Sequence, residues 1–538
     1  MDEVMKILVS DDVSEKGVEL LRQNGYTVDV ETNLDEDQLA ERIGEYDGLI
    51  TRSMTHVTAK VIEKAKKLKI VGRAGVGIDS IDLKAATARG IIVVNAPTSN
   101  TIAATEHTCA MILAVTRHIP QAHDSLMSGE WNREKFTGIQ LKDKTMGIIG
   151  VGRIGSRIAK RMQAMEMRTI GYDPYIPEER GKQLNCELVD LDTLLRESDY
   201  ITLHTPLTKE TRGMIGAEEI AKMKDGVRVI NVSRGAVLDT HALAEALKIG
   251  KVAGAAVDVF PEEPLTSDIN PFKGMDNVVI TPHLGASTVE AQEGVSLDVA
   301  RSIMAGLKGE PVPTAVNMAP IAPGVYSTIR PYFDLMERMG IMGVYLAEAP
   351  MKEITVEYSG KLAETETALL TTAVLKGALN PILQDAVNFV NAPDLAKQRH
   401  ISVKEVKTSD HGNFVDAVTV RIVTAKGEHK VVGSLFNQTE AKIVQIDEYR
   451  VDFKPENYLL LAPHIDQPNM IGQIATVLGE AKINITGMQV GNMTQKGTNI
   501  MAVAVEDDIP NDVMVKLRSI NGILDMKLIH CEPNQQEA

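Results

Sequence analysis

Aromatic residues are scarce in this chain: they make up 4% of its 538 residues, and Trp131 is the only tryptophan. Its cores must be built from aliphatic side chains, and with 44% hydrophobic residues there are enough for several domains. Basic charge is short as well. A formal net charge of −16 argues against nucleic acid or an anionic membrane as main partner, so an anionic substrate would have to be met by a local cluster of arginines. The three cysteines (Cys109, Cys186, Cys531) lie far apart without metal-ligand spacing, which argues against a disulfide framework or a metal site and suits a reducing compartment. No apolar run has the length of a membrane span, and the opening Met-Asp-Glu-Val-Met-Lys forms no apolar signal core. A soluble cytoplasmic protein is the expectation.

What the chain does contain is a glycine run at 147–155, Gly-Ile-Ile-Gly-Val-Gly-Arg-Ile-Gly. The apolar strand 145–149 leads into Gly150-x-Gly152-x-x-Gly155, and a helical pattern (Ile158, Ala159, Met162, Met165) follows, the context that a dinucleotide fingerprint requires. Gly150 permits the tight turn, Gly152 the approach of a pyrophosphate, and Gly155 the packing of helix on strand. A second strand, 169–172, ends at Asp173, where a carboxylate can bind ribose hydroxyls and would repel a 2′-phosphate. The cofactor expected is NAD. Around this run, strands at 5–10, 27–30, 48–51, 70–72 and 91–95 alternate with helical stretches, and further strands follow at 200–204, 227–232, 254–259 and 278–281. That spacing predicts two α/β units with parallel sheets, the first ending near residue 98 and the second binding the nucleotide. A proline-rich edge at 309–331 opens a mixed α+β region with strand-like runs at 354–358, 401–406, 417–423 and 441–445 and a helical stretch at 365–378. From 458 to 529 the pattern reads βαββαβ, a ferredoxin-like unit.

Three polar residues fall after successive strands of the nucleotide unit: Arg234 in Asn-Val-Ser-Arg-Gly, Glu263 in Asp-Val-Phe-Pro-Glu-Glu-Pro, and His283 in Thr-Pro-His-Leu-Gly-Ala-Ser. Carboxyl ends of strands are where open α/β sheets bind ligands, so all three can converge on one crevice. Hydride transfer to a nicotinamide needs a proton acceptor, which an imidazole can be near neutrality, and a cation for the substrate. His283 is the candidate base, Glu263 its orienting carboxylate, and Arg234 a bidentate carboxylate ligand.

These motifs, with Val-Gly-Arg-Ala-Gly-Val-Gly-Ile-Asp at 71–79 and His-Thr-Pro-Leu-Thr at 204–208, resemble those of the D-2-hydroxyacid dehydrogenases from about Lys6 to Ile529. The resemblance implies that Arg234, Glu263 and His283 form the catalytic set. It also implies that Arg153 and Ile154 line the pyrophosphate site, that Asp173 holds the adenosine ribose and that Thr205 sits by the cofactor. Val76, Val232, Ser233, Asp258, Gly285 and Ala286, with Arg234 and His283, would complete the cofactor's surroundings. The fold implied is α/β: two Rossmann-like doubly wound parallel-sheet domains, a mixed α+β intervening domain, and a βαββαβ ferredoxin-like ACT domain. The first of these would be discontinuous, 1–98 completed by 287–318, with the nucleotide domain 99–286 inserted; the others would span 319–452 and 456–530.

A phosphorylated substrate needs cations in the first domain, and Arg52 and Arg73 follow apolar strands there, where members of the family acting on phosphoglycerate have arginines. Arg52 and Ser53 would hold the phosphate, and the backbone at Val76 and Gly77 the carboxylate. The expected reaction is NAD-dependent oxidation of 3-phospho-D-glycerate at C2. Alternatives are another 2-hydroxy acid (glyoxylate/glycerate or 2-hydroxyglutarate) and an NAD-sensing regulator without turnover. Within the family the stretch around Trp131 crosses to a neighbouring subunit, which implies a homodimer through 101–140, within a tetramer, and brings Arg133 or Lys135 to the partner's substrate site. The last unit looks like an amino-acid-binding ACT module with the loop His464-Ile-Asp466-Gln-Pro468-Asn469; the resemblance implies L-serine as effector on His464, Asp466 and Asn484. Asn469 stands where a glycine commonly follows the proline.

Overall fold

The computed structural model describes residues 4–532 apart from 311, 322–323, 384–386, 410–414, 438 and 494–496. The first sheet is parallel, with strands β1 (Lys6–Val9), β2 (Thr27–Val30), β3 (Gly48–Thr51), β4 (Ile70–Arg73) and β5 (Ile92–Asn95) in the order β2-β1-β3-β4-β5. The second, also parallel, contains β6 (Thr145–Ile149), β7 (Arg168–Tyr172), β8 (Glu187–Leu188), β9 (Tyr200–Leu203), β10 (Val227–Asn231), β11 (Val252–Val257) and β12 (Val278–Ile280), ordered β12-β11-β10-β9-β6-β7-β8. Parallel strands are covered on both faces, which is why they read as unbroken apolar runs. In β6, Ile148 joins the core under the helices Thr101–Arg117 and Arg153–Ala164, whereas its neighbour Ile149 joins the core on the opposite face. Strand order reverses between β1 and β3 in the first sheet and between β6 and β9 in the second. Those switch points open crevices at the strand carboxyl ends.

After β12 the chain returns to the first sheet. The helix Val289–Leu307 buries Val295, Val299 and Ile303 against Ile7, Ile50 and Ile70, each such side chain contributing about 1.5–3 kcal/mol through removal from water. Then Val316 donates its N–H to the Val93 carbonyl and Asn317 bonds Val93 and Ile91, tying this stretch to β5.

The remaining strands form one sheet: β13 (Met351–Gly360), β14 (Ser402–Thr408), β15 (Asp416–Thr424), β16 (Glu428–Phe436), β17 (Glu440–Ile446), β18 (Tyr449–Phe453), β19 (Tyr458–Ile465), β20 (Ile485–Met493), β21 (Thr498–Val505) and β22 (Lys527–His530). Its order is β14-β13-β15-β16-β17-β18-β20-β21-β19-β22, antiparallel except where β14 joins β13. Two differences from the sequence reading appear here. The helix Phe333–Ala347 and the strands β16 and β18 were not expected. The helix buries residues all round its length, so it has no polar stripe to give it a helical period. Strand pairing also crosses the expected boundary at 452–456, because β18 lies beside β20, and Leu459, Leu461, Ile500 and Ile529 share a core with Leu335, Met339 and Val374. Among the described residues no helix is long and apolar enough to cross a membrane, and no cluster of side chains has the makings of a metal site.

Candidate active site

The glycine loop follows β6 at the second sheet's switch point. Gly150 has φ +90°, in the region that favours glycine. A Cβ on Gly155 would stand 2.1 Å from the Gly150 carbonyl oxygen, so only glycine lets the helix Arg153–Ala164 start this close to the strand. Gly152 caps that helix without any side-chain hydrogen bond, and a Cβ there would meet nothing within 4 Å, leaving the positive helix end open above the loop. Asp173 accepts the Val151 N–H (3.0 Å) and the Tyr175 N–H (3.0 Å), which fixes its carboxylate beside the loop. Thr205, after β9, has a buried hydroxyl without a partner among the described residues, and its methyl would lie 3.1 Å from a Cβ on Gly150. An open helix end, a fixed acid and an orphaned hydroxyl around one loop fit a dinucleotide. Arg153 instead reaches back to the Pro97 carbonyl (3.1 Å), and Ile154 packs on the adjoining core.

The three expected side chains follow β10, β11 and β12 of the same sheet, and two of them meet directly. His283 Nδ1 lies 2.8 Å from Glu263 Oε2, and Glu263 Oε1 accepts the Phe260 N–H at 2.9 Å. Burial works to raise the Glu263 carboxyl, but its hydrogen bonds from His283 and Phe260 and the attraction of His283 outweigh that and leave it below its ordinary value. His283 has φ +54°, and its N–H donates to the Asp258 carbonyl at 2.8 Å. Asp258 itself is fully buried; it accepts from Thr281, Leu284 and Gly285 and so builds this turn. A Cβ on Gly285 would lie 3.2 Å from Val232, and Ser233 is bonded to the Asn231 amide oxygen, so these residues line the crevice behind the turn.

Arg234 spans the crevice. Its Nη1 donates to the Ser233 carbonyl (2.7 Å) and its Nε pairs with Asp79 in the first unit (3.2 Å). Asp79 lay within a quoted motif, but its role could not be read there, since its partner is 155 positions away. On the same side Arg73 ends β4, and Arg52 and Ser53 follow β3. Buried Asp11 accepts N–H groups from Arg52 and Thr55, fixing the turn that presents Arg52, whose guanidinium reaches the Asp12 carbonyl at 3.4 Å. Arg73 donates to the Ser53 hydroxyl at 3.4 Å, and its Nε has no partner among the described residues. Burial pulls the Arg73 guanidinium down to about 10, Asp11 opposing this and Arg234 and Arg52 adding to it; it stays protonated at neutral pH. Three cations whose charges act on one another make a place that can receive an anionic substrate. The Val76 carbonyl accepts from Asn95 (2.6 Å), and Ala286 and Arg52 line a cavity of about 230 Å³. A larger cavity of about 520 Å³ is lined by Ser53, His56, Phe260, Glu263, Asn270 and His283.

Gly77 has a specific job. A Cβ there would lie 2.3 Å from Arg234 Nη2, so the missing side chain is the space the guanidinium occupies. Gly77→Ala is expected to displace Arg234 and lower kcat/KM by about 10-fold or more, while the melting temperature stays within a few degrees because the clash is with a movable side-chain end. Steady-state kinetics beside thermal melting checks this.

The structure does not bring the three expected effector residues together. His464 and Asp466 stand beside the start of β21, where His464 pairs with Asn499, whereas Asn484 bonds Glu506 beyond its far end. Seven residue steps along β21 put them roughly 23 Å apart. Asn469 takes φ +69°, a left-handed conformation that asparagine tolerates, so the loop keeps the turn a glycine would make. Lys135 is paired with Asp276 of its own chain at 3.0 Å.

Residues 109–285 match the family described as D-isomer specific 2-hydroxyacid dehydrogenase, NAD binding domain, and residues 328–447 match the D-3-phosphoglycerate dehydrogenase intervening domain. Among similar curated proteins, D-3-phosphoglycerate dehydrogenase of Archaeoglobus fulgidus is 43% identical over 97% of this chain and 99% of its own, and that of Bacillus subtilis is 39% identical over 98% and 99%. Among solved structures, D-lactate dehydrogenase from Aquifex aeolicus complexed with NAD and lactic acid superposes with a TM-score of 0.52 at 31% identity, covering 57% of this chain and 96% of that one. With that breadth of similarity and the crevice just described, the chain belongs to the D-3-phosphoglycerate dehydrogenases, NAD-dependent oxidoreductases of the D-2-hydroxyacid dehydrogenase family.

Proposed function

We propose that the chain oxidises 3-phospho-D-glycerate at C2 to 3-phosphohydroxypyruvate, the first step of the phosphorylated route to L-serine. The observation that carries this is a set of three arginines whose charges act on one another, Arg52, Arg73 and Arg234, with Ser53, next to Arg52, lining one cavity with the His283–Glu263 pair. A substrate with a phosphate at one end and a carboxylate at the other matches cations placed this way, whereas a plain 2-hydroxy acid would bring no second anionic group to Arg52 and Arg73. Because Nδ1 donates to Glu263, His283 keeps a lone pair on Nε2 to accept the C2 hydroxyl proton. Glu263 then faces the imidazolium and stabilises it. Arg234 holds the carboxylate and polarises the oxygen that becomes a carbonyl. The helix end at Gly152 would hold the phosphates of NAD and Asp173 its adenosine ribose, and the cofactor would supply the acceptor for the hydride leaving C2.

The apolar surface supports a homodimer. The helix Ile119–Met127 buries none of its residues; its own Leu126 and Met127, and Trp131 just beyond it, are more than half exposed. A second copy covering 101–140 would bury them and bring Arg133 towards the partner's crevice, and pairing through the last unit would make a tetramer. L-serine is the proposed effector. Since Asp466 and Asn484 are far apart within one chain, a ligand touching both would sit between two copies.

Fluorescence of NADH formed from phosphorylated and plain 2-hydroxy acids, with and without L-serine, tests this. The expected result is highest kcat/KM with 3-phospho-D-glycerate and a lower rate in serine. A preference for an unphosphorylated acid would overturn the substrate reading, and an unchanged rate in serine the effector reading.

A further inference from the structure

The turn that presents His283 depends on one carboxylate. Asp258 accepts the backbone N–H groups of Leu284 (2.7 Å) and Gly285 (2.9 Å) and the Thr281 hydroxyl (2.6 Å), and its carbonyl accepts the N–H of His283 (2.8 Å). Four groups around the left-handed residue are thus tied to one fully buried side chain and its own backbone. A buried carboxylate is expensive unless its oxygens are saturated with donors. Those donors, and the attraction of a nearby imidazole, hold the Asp258 carboxyl below its ordinary value although burial works the other way.

That imidazole belongs to His107. Its Nε2 is 3.2 Å from Asp258 Oδ1 and 3.2 Å from the Thr281 hydroxyl oxygen. The Thr281 hydrogen is already given to Asp258, so Nε2 is the donor in both contacts. His107 comes from neither strand end. It sits on the helix Thr101–Arg117, which starts where the chain passes from the first unit into the second. Just before it, Ser99 bonds Asp298 on the helix that covers the first sheet. Packing of the Thr101–Arg117 helix is supplied by Ala104, Met111, Ile112 and Val115, all buried, whereas His107 remains partly exposed at its side.

We infer that His107 is a positioning residue for the oxidation. It completes the hydrogen-bond shell of Asp258, holds the 281–285 turn, and so sets where His283 Nε2 meets the substrate hydroxyl. It also joins that turn to the helix linking the two units, so the placement of the base follows the placement of the first unit. The inference rests on His283 being the base, as proposed above. Outer partners of this kind are worth about 10- to 100-fold in rate, because a base misplaced by about 1 Å loses most of its advantage.

The test compares His107→Gln, whose amide can reach the same oxygen, with His107→Leu, which fills the space without an N–H. Should His107→Leu fail to fold, His107→Ala takes its place. The full-length protein with NAD is followed by amide hydrogen exchange at Leu284 and Gly285, and by kcat and KM for its best 2-hydroxy acid. The expected result is faster exchange at both amides and a kcat about 10- to 100-fold lower in His107→Leu, with KM within about threefold. His107→Gln should recover kcat to within about threefold and restore slow exchange. Equal losses in the two variants, or unchanged exchange in His107→Leu, would overturn the inference. Exchange needs no substrate, so it still decides the role of His107 if 3-phospho-D-glycerate proves not to be oxidised.

Discussion

Replacing His283 with alanine is expected to lower kcat by about 10²- to 10⁴-fold, the usual worth of a positioned base, while NAD still binds. The two effects separate because the cofactor's proposed anchors, the helix end at Gly152 and the Asp173 carboxylate, follow β6 and β7, whereas the 281–285 turn follows β12. Two features of the site shape the experiment. His283 has φ +54°, so alanine perturbs the turn as well as removing the imidazole. Asparagine tolerates that conformation, and His283→Asn should match the alanine loss if the base alone matters. His56 lines the same cavity and is a second imidazole that could accept a proton there. Residual rate in His283→Ala that vanishes on adding His56→Ala would trace the remainder to it. The measurements are steady-state NADH formation and fluorescence titration with NAD. Failure to bind NAD would make His283 a structural residue.

Arg234→Lys should be nearly as damaging, lowering kcat/KM by about 10²- to 10³-fold, the range seen when one charge-stabilising donor is removed from a site. The substitution keeps the charge and loses the fork. Arg234 donates through Nε to Asp79 and through Nη1 to the Ser233 carbonyl, leaving Nη2 beside Gly77 for the substrate. A lysine has one ammonium to serve all three directions, so either the link to the first unit or the substrate contact is given up. In Arg234→Ala, added guanidinium should restore part of the rate. A kcat/KM for Arg234→Lys within threefold of the unaltered chain would mean that charge alone suffices.

Legibility in the sequence followed the range of the interactions. The glycine loop, its strand and its helix are contiguous, and Gly150, Gly152 and Gly155 carry their reasons locally. Parallel strands buried on both faces were visible as apolar runs. Arg234, Glu263 and His283 could be proposed together because each follows a strand of one sheet. Asp79 and His107 could not, because each acts on a residue more than 150 positions away. In the second half the signals were weaker for different reasons. The Phe333–Ala347 helix lacks a polar stripe, β18 has five residues, and β16 opens on Glu428, His429 and Lys430. The separation of Asn484 from Asp466 depends on strand direction in a sheet, which residue spacing does not encode.

The ten-stranded sheet also bears on how the C-terminal half could be cut and recombined. Among the described residues Tyr449↔Met493 and Arg450↔Asn492 stitch β18 to β20, which looks like a convenient place to divide the chain. The core beneath ignores that division, since Leu459, Leu461 and Ile529 pack with Leu335 and Met339. A chain severed between Phe453 and Tyr458 would yield two fragments, each with a greasy face shaped for the other. Such fragments are poor modules for grafting onto another enzyme and good candidates for reassembly in trans.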